Sequence, residues 1–185
     1  MALTEAPLMP SLAANVRIAD PLTLVLGARW TKDEKKGRYS QLIDTPFIAA
    51  LRAAEVLDLP DLSDDRFTYR IGLNFKPSED MLIFTSYSTG YKSGGYNSGG
   101  GAPSLTIFGP GGAVVSTKRL FDRETVKNYE VGIKSSLFDR RVRLNVDAFY
   151  YDYRKIQFSV YSGTTNALLN AARARIYGLV AALSV

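Results

Sequence analysis

The stretch Phe121–Tyr153, FDRETVKNYEVGIKSSLFDRRVRLNVDAFYYDY, contains two long alternating segments on either side of a short polar turn, Phe138-Asp139-Arg140-Arg141. From Val142 the even positions are Val142, Leu144, Val146, Ala148 and Tyr150, and the odd positions are Arg143, Asn145, Asp147, Phe149 and Tyr151. Before the turn, Tyr129, Val131, Ile133 and Leu137 alternate with Asn128, Glu130, Gly132 and Lys134. A period of two, with one apolar and one largely polar face, is the signature of a β-strand whose apolar side is buried or faces lipid. Each segment reaches the ~9–11 residues that a tilted strand needs to cross a bilayer, whereas strands of soluble domains average about 5–6 residues. A hairpin of this length and patterning predicts a membrane barrel.

The same unit occurs twice more. Leu22, Leu24, Leu26, Ala28 and Trp30 alternate with Thr23, Gly27, Arg29 and Thr31 after the tight turn Ala19-Asp20-Pro21. Phe67, Tyr69, Ile71, Leu73 and Phe75 alternate with Thr68, Arg70, Gly72, Asn74 and Lys76, and Pro77-Ser78-Glu79-Asp80 then turns the chain into Met81–Tyr91. The alternation predicts about seven strands: Ser11–Ile18, Leu22–Lys32, Arg66–Lys76, Met81–Tyr91, Glu124–Leu137, Val142–Phe158 and Leu169–Leu183. Polar connections run from Asp33 to Asp65 and from Lys92 to Arg123, with a shorter one near Tyr161 to Leu168. Short turns at one end and long loops at the other are the layout of outer-membrane barrels, with the turns periplasmic and the loops outside. A soluble sandwich would have shorter strands and turns of mixed length at both ends.

The predicted fold class is therefore all-β: an antiparallel up-and-down meander, a segment of a larger transmembrane β-barrel, with a short helix in one external loop. That helix is read over Thr45–Glu55, where Thr45 caps, Pro46 suits the first turn, and Phe47, Leu51 and Ala54 share one face. It would rest on the barrel mouth or gate ligand entry.

Composition excludes more than it selects. No run among the 185 residues approaches the ~18 apolar residues of a membrane helix, and mean hydropathy is −0.06, as expected when each strand is only half apolar. There is no cysteine, which removes disulfides, thiolate metal sites and thiol nucleophiles. There is no histidine, which removes the Ser-His-Asp triad, His-metal sites and any imidazole base. Asp147 and Asp152, taken as a carboxylate pair, would point to opposite faces of one strand about 16 Å apart, so acid–base catalysis is not expected. The net charge of +5 is scattered, and Lys35-Lys36 and Arg140-Arg141 read as solvated loop and turn charges, not as a nucleic-acid patch. Gly94-Gly95 and Gly99-Gly100-Gly101 lack the Gly-Lys-Ser/Thr ending of a phosphate cradle and read as an external loop.

Several phrases, in order, resemble the barrel of TonB-dependent outer-membrane receptors. They are Gly27-Ala28-Arg29-Trp30-Thr31-Lys32-Asp33-Glu34-Lys35, the strand end Tyr87-Ser88-Thr89-Gly90-Tyr91-Lys92-Ser93-Gly94-Gly95-Tyr96-Asn97, the phrase Asn128-Tyr129-Glu130-Val131-Gly132-Ile133-Lys134 with Asp147-Ala148-Phe149-Tyr150-Tyr151-Asp152-Tyr153, and Asn170-Ala171-Ala172 through Tyr177-Gly178. The chain departs from the family at Val180, where a glutamate is usual, and at Leu183-Ser184-Val185, which lacks the closing aromatic. Nor does Met1–Pro10 carry a secretory signal pattern. The expected domain is thus one partial barrel over residues 1–185, without plug or signal peptide, set against the about 22 strands of a complete family member.

The resemblance implies localisation in the outer membrane of a Gram-negative bacterium and TonB-energised uptake of a scarce ligand, with outer-membrane lipid, a plug domain and TonB as partners. A ferric siderophore is the commonest family cargo; cobalamin, other metals and oligosaccharides are alternatives, and no cofactor or nucleic acid is implied. Tyr91, Lys92, Tyr96, Asn97, Arg154 and Lys155, at the loop bases, are the expected ligand-binding residues. Arg29, Arg70, Arg143, Asn145 and Asp147, with Glu130 and Lys134, are expected to face the lumen. A passive porin-like channel or a structural or adhesive surface barrel is the competing reading.

Overall fold

Period-two patterning over successive long segments yields a meander in which each long strand pairs with the next. The computed structural model describes residues 2–5, 8–41, 55–97, 107–108, 114–116, 120–162 and 165–185. In chain order the strands are β1 (Ala2–Glu5), β2 (Ser11–Ala19), β3 (Leu22–Gln41), β4 (Glu55–Ser78), β5 (Met81–Lys92), β6 (Gly95–Tyr96) and β7 (Ile107–Phe108). They continue as β8 (Val114–Ser116), β9 (Leu120–Phe121), β10 (Glu124–Leu137), β11 (Val142–Arg154), β12 (Gln157–Ser162), β13 (Thr165–Asn170) and β14 (Arg173–Ser184).

The main sheet runs β1/β2, β3, β4, β5, β10, β11, β14, all antiparallel. β1 and β2 both lie along β3 in one register, from Ala2↔Arg38 through the Leu8↔Lys32 bridge to Arg17↔Thr23, so they form a single lane. The sheet therefore has about seven lanes, as the alternation predicts. The described residues contain no helix. Residues 45–54 of the predicted helix lie outside the described residues, and Glu55, its predicted last residue, opens β4.

The register fixes the two faces, because directly opposed residues project from the same side. Ala14, Leu26, Ile71, Tyr87, Tyr129, Tyr150 and Tyr177 oppose one another across all lanes. One step nearer the short turns stand Val16, Leu24, Leu73, Thr85, Val131, Ala148 and Leu179. The opposite face carries Asn15, Val25, Gly72, Ser86, Glu130, Phe149 and Gly178 in one row. On that face Phe84 lies over Gly132 and Phe149 over Gly178. A Cβ on Gly132 would come within 2.6 Å of the Phe84 ring and 2.9 Å of the Asp147 Cβ. Glycine there lets an aromatic ring fold flat across the neighbouring strand.

The hydrophobic side chains are not gathered inside the described part of the chain. Tyr39, Leu59, Tyr96 and Ala167 are its buried hydrophobics, while Leu12, Leu179, Leu183 and Phe67 are 74%, 70%, 68% and 61% exposed. An apolar face this continuous is stable in water only when covered. On it, Phe67, Tyr69, Tyr87, Tyr129 and Tyr150 form a chain of ring contacts with centroids 4.8–6.1 Å apart.

At one end the lanes join through tight turns at Asp20-Pro21, Glu79-Asp80 and residues 138–141. Neighbouring turns bind each other: Arg140 Nε donates to Asp80 Oδ1 at 2.7 Å, and the Lys76 amide donates to the Pro21 carbonyl at 2.9 Å. At the other end the ladders run on well past the predicted boundaries. β3 and β4 remain paired to Gln41↔Glu55, so most of the expected loop 33–65 is a projecting hairpin. The predicted strand Val142–Phe158 breaks after Arg154, where Lys155 adopts φ 52°, and Leu169–Leu183 breaks at Ala171-Ala172. The two breaks face each other, with the Lys155 amide donating to Ala172 O at 3.2 Å and the Ala171 amide to Ile156 O at 2.8 Å. Beyond them β12 pairs with β13, as β6 does with β9 and β7 with β8.

Candidate functional site

The long-hairpin end is held together by side chains that cap the places where strands break. Asn170 is the hub: its Nδ2 donates to the carbonyls of Asp122 at 2.9 Å and Lys155 at 2.8 Å, and its Oδ1 accepts from the Asp122 amide at 2.7 Å. Gln157 Nε2 donates to the Ser93 carbonyl at 2.9 Å and the Asp122 carbonyl at 3.0 Å, while its amide donates to Glu124 Oε2 at 2.7 Å. Lys35 Nζ reaches Ser93 Oγ at 2.8 Å and Gly94 O at 3.1 Å. Lys35 within β3 and the segments at the ends of β5, β10, β11 and β14 are thus joined at one level. Every strand break leaves backbone groups without ladder partners, and amide side chains satisfy them.

The six expected ligand-binding residues are divided by this arrangement. Asn97 is 5% exposed; its Nδ2 donates to Leu168 O at 2.9 Å and its Oδ1 accepts the Leu168 amide at 2.7 Å, copying a strand pair with a side chain. Tyr96 is 8% exposed and packs with Tyr39, Leu59 and Leu62; its hydroxyl lies against the carbonyls of Lys35, at 3.0 Å, and Pro60. Burial, with Asp61 nearby, raises the Tyr96 pKa, which keeps the phenol a donor. Both residues pin the loop base and offer no polar group outward. Tyr91 donates to Asp33 Oδ2 at 2.9 Å, and Lys155 Nζ to Asp122 Oδ2 at 2.8 Å. Lys92 is exposed at the end of β5, opposite Glu124. Arg154 stands opposite Thr125 and Arg173, in the face of Tyr150 and not in that of Glu130.

The seven polar residues expected to face inward share one side of the sheet. Arg70 stands opposite Gly27, two residues from Arg29; Glu130 opposes Ser86, Asp147 opposes Gly132, Asn145 opposes Lys134, and Arg143 opposes Ser136. Ser86 Oγ donates to Glu130 Oε2 at 3.4 Å, and Lys134 Nζ sits 5.4 Å from the Phe84 ring centroid. Asp147 and Asp152 fall on opposite faces, as their spacing in one strand dictates.

A depression of about 230 Å³ opens beside the clamp, lined by Asp33, Lys35, Asp64, Ser93, Arg123 and Lys155 among others. Arg123 pairs with Asp64, and Lys155 with Asp122. The pocket is polar and balanced in charge, and smaller than the roughly 300–1,000 Å³ of a complete small-molecule site. It can form one wall of a binding site. Among the described residues no group of three acidic, His or Cys side chains is placed to hold a metal ion. The residues joined here, Gln157, Asn170, Asp122 and Lys35, are not among the expected site residues, although Lys35 and Asn170 stand inside the phrases that carry the family resemblance.

Long antiparallel strands with an apolar face, tight turns at one end and projecting hairpins at the other define a wall segment of a transmembrane β-barrel. Residues 11–185 match the sequence model of the family described as TonB dependent receptor-like, beta-barrel, and the chain belongs to that family. It is 30% identical over 135 residues to the probable TonB-dependent siderophore receptor PiuA of Acinetobacter baumannii, an alignment covering 73% of this chain and 16% of that receptor. The crystal structure of PiuA from the same organism superposes with a TM-score of 0.65 at 26% identity, over 98% of this chain and 23% of that one. The ferric yersiniabactin uptake receptor FyuA of Yersinia pestis gives 0.66 at 20% identity, over 98% and 25%. The copper transporter OprC gives 0.66 at 11% identity, over 98% and 26%; these last two likenesses speak to fold alone. The chain is a segment of an outer-membrane β-barrel of that family, and it spans about a sixth of the curated relative.

Proposed function

We propose that this chain is one sector of the barrel wall of a larger receptor that takes up a ferric siderophore with energy delivered through TonB. The observation that carries this reading is the 30% identity over 135 residues to a probable siderophore receptor, supported by superposition over 98% of the chain. The about seven lanes then make roughly a third of a wall of about 22 strands, closed around a plug domain. The apolar face meets lipid. Arg29, Arg70, Glu130, Lys134, Arg143, Asn145 and Asp147 line the lumen, where water and the plug solvate them. The tight turns lie in the periplasm and the projecting hairpins outside.

In this reading Lys92 and Lys155 stand at the rim where cargo is caught, while Tyr96 and Asn97 keep that rim in place. Arg123 and Lys155, already paired with Asp64 and Asp122, attract an anionic chelate less than unpaired cations would. Affinity therefore rests on shape and on loops beyond this sector.

The test is uptake of radiolabelled ferric siderophores by cells whose own siderophore receptors are deleted and which carry the intact receptor. Saturable uptake that disappears in cells lacking TonB supports the proposal. Unsaturable flux of small neutral solutes, equal with and without TonB, would replace it with the porin-like alternative.

A further inference from the structure

Beyond the tyrosine row, the apolar face changes chemistry within two residues. Opposite one another there stand Thr89, Lys127, Asp152 and Arg175, followed by Tyr91, Thr125, Arg154 and Arg173. Lys127, Arg154, Arg173 and Arg175 therefore share the face of Tyr129, Tyr150 and Tyr177, away from the Glu130 face assigned to the lumen. Two residues of strand advance about 6.6 Å, or roughly 5 Å in height at a tilt of ~40°, which is the level of lipid headgroups just outside an aromatic girdle.

One carboxylate holds two of these four cations. Asp152 is buried and accepts from Arg173 Nε at 2.6 Å and Arg173 Nη2 at 2.8 Å, with Arg154 Nε 3.9 Å away. The bidentate grip fixes the Arg173 guanidinium and leaves its remaining N–H donors for another acceptor. The Arg173 and Arg154 side chains are exposed, and neither Lys127 nor Arg175 makes a salt bridge among the described residues. The patch therefore carries excess positive charge on a surface continuous with the lipid-facing belt.

We infer that this patch docks the phosphate groups of a phosphorylated lipid headgroup in the outer leaflet of the same membrane. Cations placed at headgroup depth bind anionic lipid by direct charge complementarity, and their aliphatic stems cover the apolar surface beneath. Cargo moving through the lumen would not meet them. The inference rests on the orientation proposed above, with the projecting hairpins outside.

The test reconstitutes the intact receptor in phosphatidylethanolamine nanodiscs containing either lipid A bearing its phosphates or dephosphorylated lipid A, and counts the retained lipid by native mass spectrometry. The phosphorylated form should be retained selectively. Lys127→Gln with Arg175→Gln should lower its retention by about 25-fold, at about fivefold per cation near a charged surface. Lys127→Arg should retain it, and Lys76→Gln, which removes a cation at the tight-turn end, should leave it unchanged. Heat-modifiable electrophoretic mobility confirms that each variant is assembled. Equal retention of the two lipids, or no loss in the double variant, overturns the inference. Siderophore uptake is read separately: if uptake fails while phosphate selectivity persists, the transport reading falls and the lipid site stands.

Discussion

Substituting Val131→Arg tests the two faces of the sheet at their most demanding point. Val131 is 52% exposed and stands in the row Leu24, Leu73, Thr85, Val131, Ala148, Leu179. It precedes Leu137, the last residue of β10, by about 20 Å of strand at ~3.3 Å per residue, which is about 15 Å in height at a tilt of ~40°. That is near the middle of the hydrocarbon layer, where an outward Arg costs about 2–4 kcal/mol. The folding equilibrium should fall by roughly 30- to 1,000-fold at 1.4 kcal/mol per decade. Asn145→Arg, on the opposite face beside Lys134, should cost less than about 1 kcal/mol, because a lumenal group keeps its water. The assay is urea unfolding of the intact receptor in bilayers, with assembly read from heat-modifiable mobility. Equal losses, or a larger loss for Asn145→Arg, would refute the assignment of faces.

Three further outcomes follow from particular contacts. Gly132→Val should destabilise by about 1–3 kcal/mol through overpacking against the Phe84 ring and Asp147, and Phe84→Ala in the same chain should recover part of that loss in the unfolding midpoint. Asn97→Ala should remove both bonds to Leu168 and leave its amide unpartnered, speeding hydrogen exchange at Leu168 with little change at Val131. A cysteine at Ser159, exposed in β12, should label on whole cells with an impermeant maleimide, whereas one at Ser78 should label only after the outer membrane is breached. This sector contributes no native cysteine to that signal.

The sequence made the membrane part of the sheet legible and concealed the rest, for one physical reason. Between Glu124 and Leu137 each side chain meets either lipid or a polar environment, so alternation marks the strand, and the expected bounds coincide with β10. Beyond the bilayer both faces of a hairpin are solvated, and alternation has nothing to report. Residues 33–41 and 55–65 therefore read as polar loop although they continue β3 and β4. The break at Lys155 is hidden because Val142–Phe158 contains no Gly or Pro to mark it; only the pairing across to Ala171 and Ala172 shows it.

The sequence places the candidate residues at the loop bases but does not show their contacts across the lanes. Their place at a loop base makes Tyr96 and Asn97 candidate ligand contacts in the sequence; their burial comes from partners at Pro60 and Leu168, far away in sequence. Gln157 and Asp122 carry no local pattern, since what matters about them is the carbonyls they meet across lanes. Arg154 reads in the sequence as a loop-base cation, and only the register with Arg173 reveals its face.

The central claim, that one face of this sheet meets lipid and the other water, is tested most directly by scanning β11 with single spin labels in the intact receptor in bilayers. Collision rates with oxygen should peak at Leu144, Val146, Ala148 and Tyr150, and rates with a water-soluble nickel chelate should peak at Arg143, Asn145, Asp147 and Phe149. The alternation should vanish beyond Arg154, where both faces are in water. Rates without a period of two between Val142 and Tyr150, or with the two sets exchanged, would contradict the account.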